Sequence, residues 1–302
     1  MKRLSSGFGD NAMKYIVLTD STCDLPEEAV RAHGIDVICF KLALDGQGYV
    51  ERQDFAPSEF CKMLRGAKSL PTTAQITEYE FLERFERYAD EGTEELLYVS
   101  INAGGSATNA NAQFAREEFY KQHPESKMKI TVVDSRGYSM AQGQPILEAC
   151  EKLEAGEEME NVVAWLQDRY ARMEILLTAY SLKVIRKSGR ISAAAAIAGE
   201  VLGIHPVFTL NDGVSHVVRK VRGEKAVLGA MTSLLKTRMV PGVPYYIGVT
   251  DRVLYEAEFK TACTEAVGYP PACVFDLGAA VQSNTGPDAV GIVYEGAFRE
   301  KL

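Results

Sequence analysis

No two of the six cysteines form a CxxC pair, and none of the four histidines stands beside a Cys, Asp or Glu at ligand spacing. A zinc site or a disulfide framework has nothing to build on. The scattered thiols (Cys23, Cys39, Cys61, Cys150, Cys263, Cys273) fit buried residues of a reducing cytoplasm. No GxSxG elbow and no GxxxxGK phosphate loop is present, and no histidine falls beside an obvious Ser or Cys nucleophile. Positive charge is in deficit: the net charge is −8 and the pI about 5.2, which argues against a generic nucleic-acid binder. No apolar run approaches the roughly 20 residues that span a bilayer, so stable membrane insertion is not expected. Residues 1–13 read as a flexible leader, polar and glycine-rich, without the apolar segment of a signal peptide.

What is there suits a globular protein: 302 residues, 46% of them hydrophobic and 25% charged, enough for one large or two ordinary domains. The organising stretch runs from Glu95 to Phe119. Leu96-Leu97-Tyr98-Val99-Ser100-Ile101 is short, apolar and β-prone, as a buried strand requires. The small and polar residues Asn102 to Asn109 follow, and then a helix marked by Ala110, Ala112, Phe114, Ala115 and Phe119. A strand, a glycine-rich loop and a helix start predict free backbone N–H groups beyond the sheet, a place that attracts an anion. The loop has no charged residue, so it can hydrogen-bond an anionic head group without forming an ion pair. Gly104-Gly105 as a plain tight turn, with Ser106 or Thr108 as a helix cap, explains the same residues.

Strands are expected at Lys14–Thr19, Ile35–Leu44 and Ile130–Val133, and helices at Glu27–His33, around Phe60–Leu64, at Glu78–Tyr88 and at Ala141–Glu154. Strands alternating with helices predict an α/β fold, here a mostly parallel sheet with helices on both faces. Asp20–Asp24, Thr72–Gln75 and Asn102–Asn109 would then lie at or near the carboxyl ends of the strands, where such sheets bind ligands. Glu154-Ala155-Gly156-Glu157-Glu158 marks a boundary between an N-terminal domain, 14–157, and a C-terminal one, 158–302. The second half mixes a hairpin, Ile204–Leu210 with Val214–Val221, with helices Glu224–Leu235 and Leu254–Ala266 and strands near 175–180, 245–250, 272–277 and 290–294. It reads as α+β. Ser192 is expected to cap an alanine-rich helix, Ala193 to Leu202.

Asp20, Asp24 and Asp134 follow strands and either bind Mg²⁺ or cap the next elements. Two basic groups stand out in an acidic chain. One spans Lys183 to Arg190 and the other holds Arg219, Lys220, Arg222 and Lys225. Each reads as a docking face for an acidic partner or a phosphate, or as ordinary solvated surface.

Taken together, Thr19-Asp20-Ser21-Thr22-Cys23-Asp24, Leu70-Pro71-Thr72-Thr73-Ala74-Gln75, Val133-Asp134-Ser135, Leu182 through Ser192, Ile204-His205-Pro206-Val207, Val218 through Gly223 and Thr285-Gly286-Pro287 resemble the DegV family of bacterial lipid-binding proteins, in family order. The resemblance implies a two-domain fold holding one long-chain fatty acid, such as palmitate, between the domains. It implies a cytoplasmic carrier, not itself an enzyme and without a cofactor, that presents the carboxylate to a separate fatty acid kinase. The family's carboxylate site uses the Thr of T-S-Q, here Thr73 beside Thr72, and a Ser of S-S-x-L-S-G-T-Y, here Ser106. Asn102-Ala103 stands for the paired serines, Gly105 for Leu and Asn109 for Tyr; Asn284 stands where many members carry His. Asn102 and Asn284 are thus replacement head-group contacts, and Arg186, Arg190 and Arg222 the expected kinase-docking residues. Two other classes stay open: an Mg-dependent phosphotransferase or hydrolase using Asp20, Asp24 and Asp134, and a regulatory module that senses lipid.

Overall fold

A computed structural model describes residues 15–191, 203–211 and 214–297. The chain opens with β1 (Tyr15–Asp20), α1 (Glu27–Ala32) and β2 (Asp36–Ile38). It then folds a hairpin, β3 (Lys41–Leu44) with β4 (Gln47–Val50), whose two-residue turn places Asp45 at φ 51 and Gly46 at φ 83. Positive φ at both central residues is what a hairpin turn matched to strand twist demands, and Asp-Gly supplies it. After α2 (Pro57–Gly66), β5 (Thr72–Ala74) pairs antiparallel with β3 to complete a three-stranded sheet. Then come α3 (Glu78–Asp90), β6 (Glu95–Ser100), α4 (Thr108–Gln122), β7 (Lys129–Asp134) and α5 (Met140–Glu154).

Strands β2, β1, β6 and β7 form a parallel sheet in that order. Alternation decides its faces. Val17, Leu97, Val99 and Val133 point to one side against α1 and α5; Leu18, Leu96, Tyr98 and Ile130 point to the other against α3 and α4. Both faces are covered, so the strands read as continuous apolar runs. α3 begins with a reciprocal cap between Thr77 and Glu80.

The charged stretch after α5 is the turn into α6 (Met159–Arg172), and the two helices pack on each other. The chain continues through β8 (Met173–Ala179), α7 (Leu182–Ser188), β9 (Ile204–Asn211), β10 (Val214–Arg222), α8 (Lys225–Arg238), β11 (Tyr245–Val249), α9 (Arg252–Val267), β12 (Cys273–Asp276), α10 (Ala279–Thr285) and β13 (Ala289–Glu295). A mixed six-stranded sheet results, ordered β10-β9-β8-β13-β11-β12. Val207, Tyr245, Ile247 and Ile292 pack against α8 and α9; Ile175, Leu177, Phe208 and Val293 turn the other way, into the cluster shared with α5, α6 and the parallel sheet. Arg65 on α2 pairs with Asp251 at 2.6 Å and Asp288 at 2.8 Å, tying the two sheets' layers together.

The mixed α/β architecture expected from sequence is the observed one. Two expectations of detail change. Ile35–Leu44 is not one strand: the chain leaves the parallel sheet at Cys39–Phe40, where the Phe40 N–H donates to the Ser21 hydroxyl at 2.9 Å, and β3 starts a different sheet. Thr72–Gln75, expected as a loop beyond the strand ends, carries β5. The predicted helix Ala193–Leu202, its cap Ser192 and the leader lie outside the described residues, as do Asp212 and Gly213 of the hairpin turn. All six cysteines are free thiols, four of them buried. No helix among the described residues is long and apolar enough to cross a membrane.

Candidate functional site

A cavity of about 850 Å³ opens between the carboxyl ends of the parallel strands and the inner face of the six-stranded sheet. That is the size of a small-molecule site. Its walls divide by chemistry. Ile175, Leu177, Leu210, Phe275, Leu277 and Val293 give an apolar wall, while Thr73, Ser106, Tyr138 and Asn284 bring polar groups to the same space. The three loops expected to converge do so, since Thr22, Thr73 and Ser106 all line it.

Most of the backbone amides in the Asn102–Asn109 loop are already engaged. The N–H of Ala103 donates to Asp134 at 3.1 Å, that of Gly104 to the Asn102 Oδ1 at 2.9 Å, those of Gly105 and Ser106 to the Asn102 carbonyl, and that of Thr108 to the Ser106 hydroxyl. A short polar loop that folds on itself satisfies its own donors locally. An anion here meets side chains and the amides at the start of α4, where Ala107 and Ala110 line the cavity.

Of the residues predicted to contact a head group, Thr73, Ser106 and Asn284 line the cavity, and Thr72 and Asn102 do not. Thr73 and Thr72 are neighbours on β5 and point to opposite faces, so only one of them can turn inward. The Ser106 hydroxyl lies 2.8 Å from that of Thr108. Asn284 donates one amide hydrogen to the Ala280 carbonyl at 2.8 Å, leaving its oxygen and the other hydrogen. Asn102 is buried; its amide braces the loop and donates to the Tyr138 hydroxyl at 2.8 Å. The docking cations Arg186 on α7, Arg222 at the end of β10 and Arg190 are all exposed, and Arg190, just past the Gly189 that ends α7 at φ 71, also contributes to the cavity wall.

The three carboxylates of the magnesium alternative are engaged elsewhere. Asp20 is fully buried and accepts from the Thr22 hydroxyl, the Ile101 N–H at 2.8 Å, Tyr98 at 3.0 Å and Gln142 at 3.2 Å. Burial raises its pKa and these donors oppose the rise. Asp24 accepts from the Ser139 hydroxyl and the Gly278 N–H, and Asp134 from the Ala103 and Arg136 N–H groups. Each therefore acts as a structural acceptor at a loop, and the expected magnesium ligand set is not assembled. Among the described residues no group of three or more His, Cys, Asp or Glu could hold a metal ion.

Sequence reasoning passed over Tyr138, Glu51 and Gly291. The signal for Tyr138 was available: it follows β7 and so stands past a strand's carboxyl end, like the three loops singled out. Glu51 gives no sequence signal, being one carboxylate among many until α10 is placed over it. Its Oε1 accepts from the Ala280 N–H at 2.7 Å, and burial pushes its pKa up to about 7.

The model of the DegV family, described as an uncharacterised protein family, matches residues 14–297. A DegV domain-containing protein of Caldanaerobacter subterraneus subsp. tengcongensis is 28% identical over 284 residues, 93% of this chain and 99% of its own. Among solved structures, a DegV family protein from Thermus thermophilus, described for its fatty acid binding, is 29% identical with a TM-score of 0.80, over 94% of this chain and 100% of that one. A fatty acid binding DegV family protein from Streptococcus agalactiae is 26% identical with a TM-score of 0.83, over 93% and 98% of the two chains. A stearic acid-binding protein from Eubacterium ventriosum, at 21% identity, shares the fold with a TM-score of 0.83 over 92% and 97%.

Proposed function

This chain belongs to the DegV family, and from that premise we propose that it binds one long-chain fatty acid, such as palmitate, and presents the carboxylate to a fatty acid kinase without catalysing a reaction itself. The observation that carries the binding is the cavity, apolar along one wall and hydroxylated along another. The fatty acid binding described for the Thermus and Streptococcus relatives supports it. Burying some 14 methylenes at about 0.8 kcal/mol each gives roughly 11 kcal/mol of gross transfer energy, ample after association costs. Affinity then resides in the tail, and the head group needs hydrogen bonds for orientation. In this reading the acid lies between domains 14–157 and 158–302 of a cytoplasmic protein, with Thr73, Ser106 and Asn284 at its carboxylate.

The test is native mass spectrometry of protein purified without detergent, followed by denaturation and identification of what is released. A stoichiometric C14 to C18 acid supports the carrier reading. An empty protein that also refuses added palmitate overturns it. Thr73→Val keeps a β-branched residue on β5 and removes only the hydroxyl. Palmitate affinity is expected to fall about tenfold with the melting temperature unchanged, the usual cost of one hydrogen bond to a charged group. Unaltered affinity would remove Thr73 from the site.

The kinase step rests on the resemblance, with Arg186 and Arg222 as its docking cations. Charge at an interface rim governs chiefly the association rate. Arg186→Glu combined with Arg222→Glu is therefore expected to slow acyl phosphate formation by the kinase at least severalfold and to leave palmitate occupancy intact. Unchanged phosphorylation would place docking on another face.

A further inference from the structure

Tyr138 is built into the polar end of the cavity by two features of the neighbouring loop that meet at its hydroxyl. The first is Gly105. A Cβ at that position would overlap the Tyr138 oxygen and crowd its ring, so the phenol fits against the loop only because residue 105 has no side chain. The second is Asn102. Its Oδ1 accepts from the Gly104 N–H at 2.9 Å, which fixes the amide's orientation and makes Nδ2 the group that faces Tyr138. Nδ2 then donates to the phenol oxygen at 2.8 Å, so Tyr138 is the acceptor in that bond. Its own hydrogen is left to donate to a further group, and the residue lines the cavity alongside Gly105 and Ser106.

We infer that Tyr138 is a head-group and specificity-determining residue of this cavity, its phenol O–H donating to a carboxylate oxygen of the bound acid. This rests on the fatty-acid reading above and adds a contact to it. A neutral donor matches a ligand that must be released to a partner. It orients the anion while adding no fixed positive charge to hold it. Burial raises the phenol's pKa, so it stays protonated and a donor across the working pH range. With most of the loop's backbone amides already engaged, the phenol adds a donor beside the Ser106 hydroxyl.

The experiment is a competition between palmitate and 1-hexadecanol, equal in chain length and different in head group, read as relative occupancy by native mass spectrometry. Wild-type protein is expected to prefer the acid. Tyr138→Phe removes only the oxygen and is expected to lower palmitate affinity about tenfold, with hexadecanol unaffected, so the acid-to-alcohol ratio falls by the same factor. Gly105→Ala, which displaces the hydroxyl while keeping it in the chain, is expected to lower the ratio too. An unchanged ratio in both variants, whether or not overall binding weakens, overturns the assignment and makes the ring a packing element. Wild-type protein that binds neither ligand would instead refute the carrier reading itself.

Discussion

Gly291→Phe is expected to abolish palmitate binding in a protein that still folds. Gly291 lies on β13, paired with Gly248 on one side and Leu177 on the other, and contributes to the cavity wall. A Cβ there would meet only the Leu176 carbonyl oxygen, at 3.8 Å, an ordinary contact. Its backbone is not in the left-handed region, so a larger residue incurs no conformational strain. The side chain therefore grows into the cavity. A phenyl ring that excludes about five methylenes of the ligand forfeits about 4 kcal/mol, or about a thousandfold in affinity. Decanoate, needing less room, should retain more of its binding than palmitate. Titrating both acids against the variant reads this directly, and palmitate bound as tightly as by wild type would show that the acyl chain lies elsewhere. Gly248 makes the contrast, because a Cβ there would press into Phe275 and Leu277; its substitution should destabilise the fold.

The second large effect is on stability. Glu51 is 3% exposed, accepts from the Ser21 hydroxyl and the Ala280 N–H, and has its pKa raised from 4.5 to about 7, chiefly by burial. Asp24, which accepts from Gly278, is raised as well, by burial and by the charge of Glu51. A carboxyl group that holds its proton more tightly folded than unfolded stabilises the fold most below the unfolded pKa, near 4.5. That contribution is lost as pH rises through about 7. For Glu51 it amounts to something on the order of 3 kcal/mol. Wild-type stability relative to Glu51→Gln should therefore decline between pH 4.5 and 7, opposite to the acid lability that Asp251 and Glu27, held low by Arg65 and Arg52, impose. Denaturant melts of both proteins across that range test it. Parallel curves would mean that the Glu51 carboxyl is solvated in the folded protein.

The regular elements were legible because their signals are local. The apolar runs of β1, β6 and β7 and the capped, periodic helix α3 carry their own patterns, and Asp45-Gly46 specifies its turn. What escaped depends on distant partners. Three residues of β5 have no strand pattern of their own and exist as a strand because β3 offers an edge. α10 is seven residues long, too short to declare itself, and its first amides are held by Asp24 and Glu51 from far along the chain. The site divides the same way. The place of Thr73, Ser106 and Asn284 in the cavity lining was readable from motif position, whereas Asn102's bracing role and Arg190's place in the wall follow from loop geometry that residue identity does not encode.

The strand order of the larger sheet bears on when the cavity can exist at all. A chain emerges from the ribosome amino end first, and all four strands of the parallel sheet are out once Asp134 has passed. The larger sheet cannot close then, because β13, with Gly291 and Val293, is inserted between β8 and β11. At usual synthesis rates Glu295 follows roughly ten seconds or more later. Until then one wall of the cavity has a gap through its middle. A complete cavity is therefore out of reach of the nascent chain until β13 has been made.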